Sequence, residues 1–291
     1  MRCACVDIGT NTTRLLVAER TADGLREVVA VRRFMRLTTA PDGAIPAATI
    51  AHVAELVAAH VLMAREHGAE QVRAVATAAI RAAPNRDELC RAVQRAAGVE
   101  VEVLSGEQEA ALAFAGALAS LERPPGGLIG VIDVGGGSSE LVTGTAGDGV
   151  TWSVSLGIGS GVLAERHLRS DPPALDELAA ARAEIDAALA AVRAPAPLTV
   201  LAVGGSATSL AGAAGGELAP ETIARVLSVL IAHPAAEAAR RLGLHIERVR
   251  LLPAGLLVLE AAWQALGGAP LRVAQGGLRE GVVLRALAAR S

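Results

Sequence analysis

The chain has no lysine; all 27 of its basic residues are arginine. That absence excludes two large enzyme classes, because a P-loop requires Gly-Lys-Ser/Thr and a pyridoxal enzyme requires a Schiff-base lysine. Aromatic residues are nearly missing too: two Phe, two Trp and no Tyr, although 52% of the 291 residues are hydrophobic. The core must therefore be built from Ala, Leu and Val. Stacked-base recognition of single-stranded nucleic acid has too few rings to work with. Net charge is −3, so no global positive field draws in a polyanion, and anion binding must be local. Cysteine is scarce, with Cys3, Cys5 and Cys90 only. An odd count without a framework fits reduced thiols in a cytoplasm. Cys3-Ala-Cys5 lacks the further ligands of a metal site and reads better as alternating small positions of a buried strand. Long apolar runs are also lacking. Residues 195–216 are uncharged but broken by Pro195, Pro197 and Gly204-Gly205, and Leu251–Leu271 is interrupted by Pro253, Glu260 and Gly267-Gly268. Neither is a clean span of about 20 apolar residues, and Asp7 falls where a signal peptide would be apolar. A soluble cytoplasmic protein with no membrane and no nucleic-acid partner is expected.

The most informative stretch is Val131-Ile-Asp-Val-Gly-Gly-Gly-Ser-Ser-Glu-Leu-Val142. Apolar residues lead into Asp133, then Gly135, Gly136 and Gly137, the hydroxyls Ser138 and Ser139, Glu140, and a second apolar run. The pattern predicts a strand, a tight glycine turn and a returning strand. Glycines let the backbone approach a ligand closely, so that several N–H groups can aim at one phosphate. The two carboxylates suit a hard cation such as Mg²⁺.

Residues 2–19 repeat this plan. Asp7 falls on Asp133, Gly9 on Gly135, Thr12 on Ser138, Thr13 on Ser139 and Leu15 on Leu141. The repetition predicts two lobes of one design, with two phosphate-facing turns opposed across a cleft. Elsewhere, strands are expected at 28–37, 72–77, 99–104, 198–203 and 271–274. Helices are expected at 46–67, 86–97, 162–168, 175–192, 222–232, 235–242, 252–266 and 278–289. Ala78–Arg81 is expected to lead into a loop, Gly204–Thr208 to form a third small-residue turn, and Pro253 to sit near the first turn of its helix. Ser105 is expected to cap a helix with Glu107 and Gln108 behind it; Glu107 needs no role beyond complementing the helix dipole. Glu109 lies beside small Ala110 and Ala111, which leave room for a buried carboxylate. The Arg123–Gly127 stretch is the expected connection between lobes.

Six motifs in order carry a resemblance: Asp7-Ile-Gly-Thr-Asn-Thr-Thr-Arg, Ala76-Thr-Ala-Ala-Ile-Arg81, Ser105-Gly-Glu-Gln-Glu-Ala110, Ile132-Asp-Val-Gly-Gly-Gly-Ser-Ser-Glu-Leu, Val203-Gly-Gly-Ser-Ala-Thr and Gly277-Leu-Arg-Glu-Gly281. Between residues 6 and 284 the chain resembles the exopolyphosphatase / guanosine pentaphosphate phosphatase family. The resemblance implies an α/β fold of the actin and sugar-kinase superfamily: two ribonuclease-H-like lobes, residues 1–123 and 124–277, with an active-site cleft between them. A terminal helix at about 278–291 would return to the first lobe. The implied reaction is hydrolysis of the terminal phosphoanhydride of inorganic polyphosphate, with Mg²⁺ or, in its place, Mn²⁺. Guanosine pentaphosphate or tetraphosphate is the alternative ligand, and a homodimer is open.

By the same resemblance, Glu109 activates water, with Asp133 and Glu140 beside it in catalysis. The metal falls to Asp133 and Glu140, with Asp7 from the first loop. Phosphate contacts fall to Gly9, Thr10, Asn11, Thr12, Arg14 and Arg81, to Gly135, Gly136, Gly137, Ser138 and Ser139, and to Gly205 and Ser206. For Arg81 a structural salt bridge to a nearby acid competes with that role. Departures from the family pattern are Thr38-Thr39-Ala40, a short segment between Gly212 and Arg225, Arg250, and Ala274-Gln275-Gly276. Only local arginines remain to grip a chain: Arg14 and Arg81, with Arg32, Arg33, Arg248 and Arg250 along a rim. Short polyphosphates are therefore expected. A kinase or ATPase of the same superfamily, using the turn at Gly204–Thr208 to seat a base, and a non-catalytic sensor of polyphosphate or guanosine tetraphosphate are the alternatives.

Overall fold

The computed structural model describes residues 1–21, 24–214 and 218–289. It divides into two compact units, Met1–Glu122 with Gly276–Ser291, and Arg123–Gln275.

The first unit contains β1 (Arg2–Ile8), β2 (Thr12–Thr21), β3 (Gly24–Phe34), α1 (Ala47–Glu66), β4 (Gln71–Ala76), α2 (Ala78–Ala82), α3 (Arg86–Ala97), β5 (Val101–Val103), α4 (Gly106–Ala119) and the C-terminal α11 (Leu278–Ala288). Its sheet runs β3-β2-β1-β4-β5. β1, β2 and β3 follow one another closely in the chain and pair antiparallel, while the helical crossovers α1 and α2–α3 give the parallel pairs β1–β4 and β4–β5. β1 is buried on both faces. Ala4, Val6 and Ile8 pack with Ile50, Val53, Val57 and Val61 of α1. Cys3 and Cys5, on the other face, pack with Leu112 of α4 and Val282 and Val283 of α11, so the Cys-Ala-Cys pair is core. Helix α1 is long and apolar enough to cross a membrane by length and composition, yet its apolar stripe covers this sheet.

Helices α4 and α11 meet backbone to backbone. A Cβ on Gly116 would lie 1.9 Å from the Gly277 carbonyl oxygen, and one on Gly281 would lie 2.0 Å from that of Leu112. Only glycine permits that approach.

The second unit contains β6 (Ile129–Val134), β7 (Ser139–Thr145), β8 (Gly149–Leu156), α5 (Ser160–His167), α6 (Leu175–Leu189), β9 (Thr199–Val203), α7 (Gly204–Ala214), α8 (Pro220–Ala232), α9 (Ala235–Leu242), α10 (Ile246–Ala265) and β10 (Leu271–Val273). Its sheet order, β8-β7-β6-β9-β10, reproduces the first strand for strand, with β6–β7 and β7–β8 antiparallel and β9 parallel to β6 and β10. The fold class is the expected α/β one, with two five-stranded sheets of the same strand order.

Four local expectations are corrected. Ala78–Ala82 is a short helix rather than a loop. Gly204 opens α7 directly, so there is no third turn. Helix α10 begins at Ile246, with Pro253 in its interior rather than its first turn. The His245 ring accepts a hydrogen bond from the Glu247 N–H, capping a charged first turn whose Glu-Arg-Val-Arg pattern hid the helix. Strand β3 stops at Phe34. Met35 and Leu37 instead donate their N–H groups to the carbonyls of Asn11 and Thr10, at 3.0 and 2.8 Å, tying this segment to the first glycine turn.

Candidate active site

In the first unit the β1–β2 turn closes through Gly9 N–H donating to the Thr12 carbonyl at 3.0 Å. Thr10 Oγ1 and Asn11 Nδ2 are buried in this turn without a hydrogen-bond partner among the described residues. The Thr12 hydroxyl accepts from Arg14 Nε at 3.3 Å, and Thr13 pairs with the buried His60 ring at 3.2 Å. Asp7 and Arg14 are register partners across β1 and β2, so both side chains lie on one face of the sheet. Enclosure raises the Asp7 carboxyl above its ordinary range. Arg14 and Arg279 oppose that rise and Glu280 adds to it.

Glu109 sits in the first turn of α4. Ser105 caps the helix, accepting from Gln108 N–H at 3.1 Å, while the Gln108 side chain returns to Ser105 N–H at 2.8 Å. This reciprocal cap fixes where the helix starts and therefore where Glu109 points. Glu107 is exposed, as its dipole role requires, whereas Glu109 is buried. Arg81 of α2 donates through Nη1 both to Glu109 Oε2, at 3.0 Å, and to the Leu104 carbonyl, at 2.7 Å. Its other guanidinium nitrogens make no hydrogen bond among the described residues. Arg81 is thus first the partner of Glu109, and its outer edge is what remains for an anion.

In the second unit the β6–β7 turn repeats the closure: Gly135 N–H donates to the Ser138 carbonyl at 3.0 Å. Helix α5 then locks the turn from below. Ser160 N–H donates to the Gly135 carbonyl at 2.9 Å, and Gly161 and Val162 N–H groups donate to that of Gly136 at 2.9 and 3.0 Å. A Cβ on Gly159 would stand 2.5 Å from Gly136. With the Gly135 and Gly136 carbonyls held by the helix and the Gly135 N–H closing the turn, the N–H groups of Gly136 and Gly137 are what the turn can offer an anion. The hydroxyls are directed inward. Ser138 Oγ donates to Glu140 Oε1 at 2.7 Å, and Ser139 Oγ donates to the Ile158 carbonyl at 2.6 Å.

Asp133 and Glu140 are register partners, so the two carboxylates share one face. Glu140 is 1% exposed, and Ser155 of β8 donates a second hydroxyl to the same Oε1 at 2.7 Å. Where the first hairpin pairs an acid with Arg14, the second pairs an acid with an acid. Gly204 follows β9 with φ +85°, and a Cβ there would stand 2.5 Å from Asp133 Oδ1, so glycine is required twice over. Arg248 is not on a rim: it is buried, with its guanidinium where a Cβ on Gly205 would fall, at 2.6 Å. Ser206 is buried, its Oγ without a hydrogen bond among the described residues, beneath Gly255.

The family model for the Ppx/GppA phosphatase family matches residues 16–290. The chain belongs to the Ppx/GppA phosphatase family. Exopolyphosphatase 1 of Mycobacterium leprae (strain TN) is 29% identical over 310 residues, covering 99% of this chain and 90% of that protein. A guanosine-5'-triphosphate,3'-diphosphate pyrophosphatase of Aeromonas hydrophila is 28% identical over 297 residues, covering 96% of this chain and 58% of that one. Among solved structures, the Aquifex aeolicus Ppx/GppA family member superposes with a TM-score of 0.83 at 29% identity, over 100% of this chain and 99% of its own.

Sequence reasoning about this Ppx/GppA chain missed Ser155 and the inward place of Arg248. Ser155 is one of several serines in its neighbourhood, and only the β7–β8 register singles it out. No group of three or more His, Cys, Asp or Glu suited to a metal occurs among the described residues. Asp133 and Glu140 still fit Mg²⁺, which is ordinarily held by one or two carboxylates together with water and substrate phosphates.

Proposed function

We propose that this Ppx/GppA phosphatase is an exopolyphosphatase, removing the terminal phosphoryl of inorganic polyphosphate with a preference for short chains. The observation that carries the reading is the buried Glu109 carboxylate, oriented by Arg81 at 3.0 Å. A binding protein has no need of an enclosed, oriented carboxylate, whereas a hydrolase needs one to place water. Glu109, held in place by Arg81, would orient and deprotonate the attacking water. That suffices for a largely dissociative phosphoryl transfer, which asks mostly for positioning and charge neutralisation.

The N–H groups of Thr10, Asn11, Gly136 and Gly137, with Arg14 and the outer edge of Arg81, would serve the phosphates, whereas those of Gly9 and Gly135 already close their turns. Asp133 and Glu140 would hold Mg²⁺, or Mn²⁺ in its place, and the bound cation would neutralise phosphoryl charge. Asp7 is the weaker third ligand, because its register partner Arg14 already supplies a positive charge there. The free thiols of Cys3, Cys5 and Cys90 agree with a cytoplasmic location.

The test is phosphate release with Mg²⁺ from long polyphosphate, short polyphosphate and guanosine pentaphosphate side by side, with ADP formation from ATP measured alongside. Faster release from guanosine pentaphosphate than from every polyphosphate would overturn the substrate assignment. Binding of all three without release would overturn the enzyme.

A further inference from the structure

We propose that Ser155 is a positioning residue for Glu140, and that with Ser138 it commits Glu140 Oε1 so that this side chain serves a divalent cation through one oxygen. The proposal rests on the reading of Asp133 and Glu140 as the cation's carboxylates. Asp133, Glu140 and Ser155 form one row across β6, β7 and β8, each the register partner of the next. Side chains in such a row share a face of the sheet. Glu140 is 1% exposed, and a carboxylate buried to that extent is costly unless hydrogen-bonded. Two hydroxyls supply that need at one atom: Ser138 Oγ from the turn and Ser155 Oγ from the neighbouring strand, both 2.7 Å from Oε1. Charge-assisted bonds from two directions hold the carboxylate in one orientation.

This arrangement has a consequence for ion choice. A cation gripped by both oxygens of Glu140 would have to displace the hydroxyls from Oε1. Mg²⁺ and ions of its size accept single-oxygen carboxylate contacts in an octahedron, whereas Ca²⁺ readily takes a carboxylate through both oxygens. The clamp therefore favours the smaller ion. Ser155 itself is exposed, so losing its hydroxyl opens no cavity in the core, and Ser155→Ala is expected to fold normally.

The experiment is Mn²⁺ binding to the full-length, substrate-free protein, read from the electron paramagnetic resonance of free Mn²⁺, with Ca²⁺ as competitor. Loss of a partner that orients a metal ligand ordinarily lowers affinity by about 10- to 100-fold. Because Ser138 remains, Ser155→Ala should fall near the lower end, about 10-fold, and Ca²⁺ should compete better than in the wild type. Ser155→Thr keeps the hydroxyl on a strand that tolerates β-branching and should bind as the wild type does. Thr151→Val, which removes a β8 hydroxyl that donates to the Thr143 carbonyl, should change nothing. Wild-type Mn²⁺ affinity in Ser155→Ala, with binding lost in Glu140→Gln, would overturn the positioning role while leaving the metal site standing. Wild-type affinity in Glu140→Gln would overturn the metal reading, and the proposal with it.

Discussion

The crossing of α4 and α11 offers the sharpest quantitative test of how the terminal helix supports the one that carries Glu109. In Gly281→Ala the new Cβ would stand 2.0 Å from the Leu112 carbonyl oxygen and 2.7 Å from its carbon, where ordinary contact begins at 3.4 Å. Both obstacles are backbone, so no side chain can swing aside, and the helices must separate by roughly 1.4 Å (3.4 − 2.0 Å). Overpacking of this kind costs about 1–3 kcal/mol or more. Separation also loosens the shared core of Leu112, Val282, Val283 and Leu287. Alanine returns about 1 kcal/mol of helix propensity. At the upper end of that range the net expectation is a loss of about 2 kcal/mol, or roughly 7 °C in the melting temperature of a unit this size. Glu109 lies three residues before Leu112 on α4, and a displacement of about 1 Å in a catalytic group can cost about 10²-fold in rate. Thermal denaturation followed by circular dichroism, with phosphate release on the same samples, measures both effects. Gly212→Ala is the control: a Cβ there meets nothing within 4 Å, and the variant should gain about 0.5–1 kcal/mol. An unchanged melting temperature and rate in Gly281→Ala would refute the reasoning.

Glu109→Gln should retain polyphosphate binding and lose about 10²–10⁴-fold in turnover; near-normal turnover would remove Glu109 from the role. Arg32 is the register partner of Arg14, and its charge is disfavoured by partial burial and by Arg279. It makes no ion pair among the described residues. Arg32→Ala should raise KM for polyphosphate and reduce the salt dependence of binding by about one phosphate contact, by analogy with nucleic-acid backbones; an unchanged salt slope would place Arg32 outside the substrate path. Burial, with Arg33 nearby, depresses the His60 pKa below its ordinary 6.5, against a bond to Thr13 that raises it. The folded ring stays neutral while the unfolded chain takes up a proton below that pH. The stability it contributes is therefore complete above about pH 6.5 and is lost as pH falls, by at most about 1.4 kcal/mol per unit. His60→Gln should flatten that slope in urea melts at pH 5 to 7; an identical slope would exclude His60 as its source.

The sequence by itself determined what depends on near neighbours. The hairpins at Gly9 and Gly135 were legible because glycine, acid and hydroxyl stand within a few residues of one another. Their equivalence followed from the match of Asp7 to Asp133. The Ser105 cap was legible for the same reason, since both halves of a capping box lie within one turn. The family was legible because its motifs are short and keep their order. Tertiary structure decided what each of those polar groups does. Ser138 and Ser139 sit in a turn that reads as a phosphate cradle, yet their hydroxyls are taken up by Glu140 and by the Ile158 carbonyl. Arg81 and Glu109 are 28 residues apart, and Ser155 and Glu140 are 15 apart. Each pair exists because a crossover or a strand return brings two distant segments to adjacent positions. A one-residue shift in β8 would turn Ser155 to the opposite face, and local composition cannot register that difference. The same holds for Arg248 against Gly205 and for Gly281 against Leu112. At Gly281 the residue type is set by how closely a distant backbone approaches, and at Gly205 a distant guanidinium occupies the space a Cβ would take.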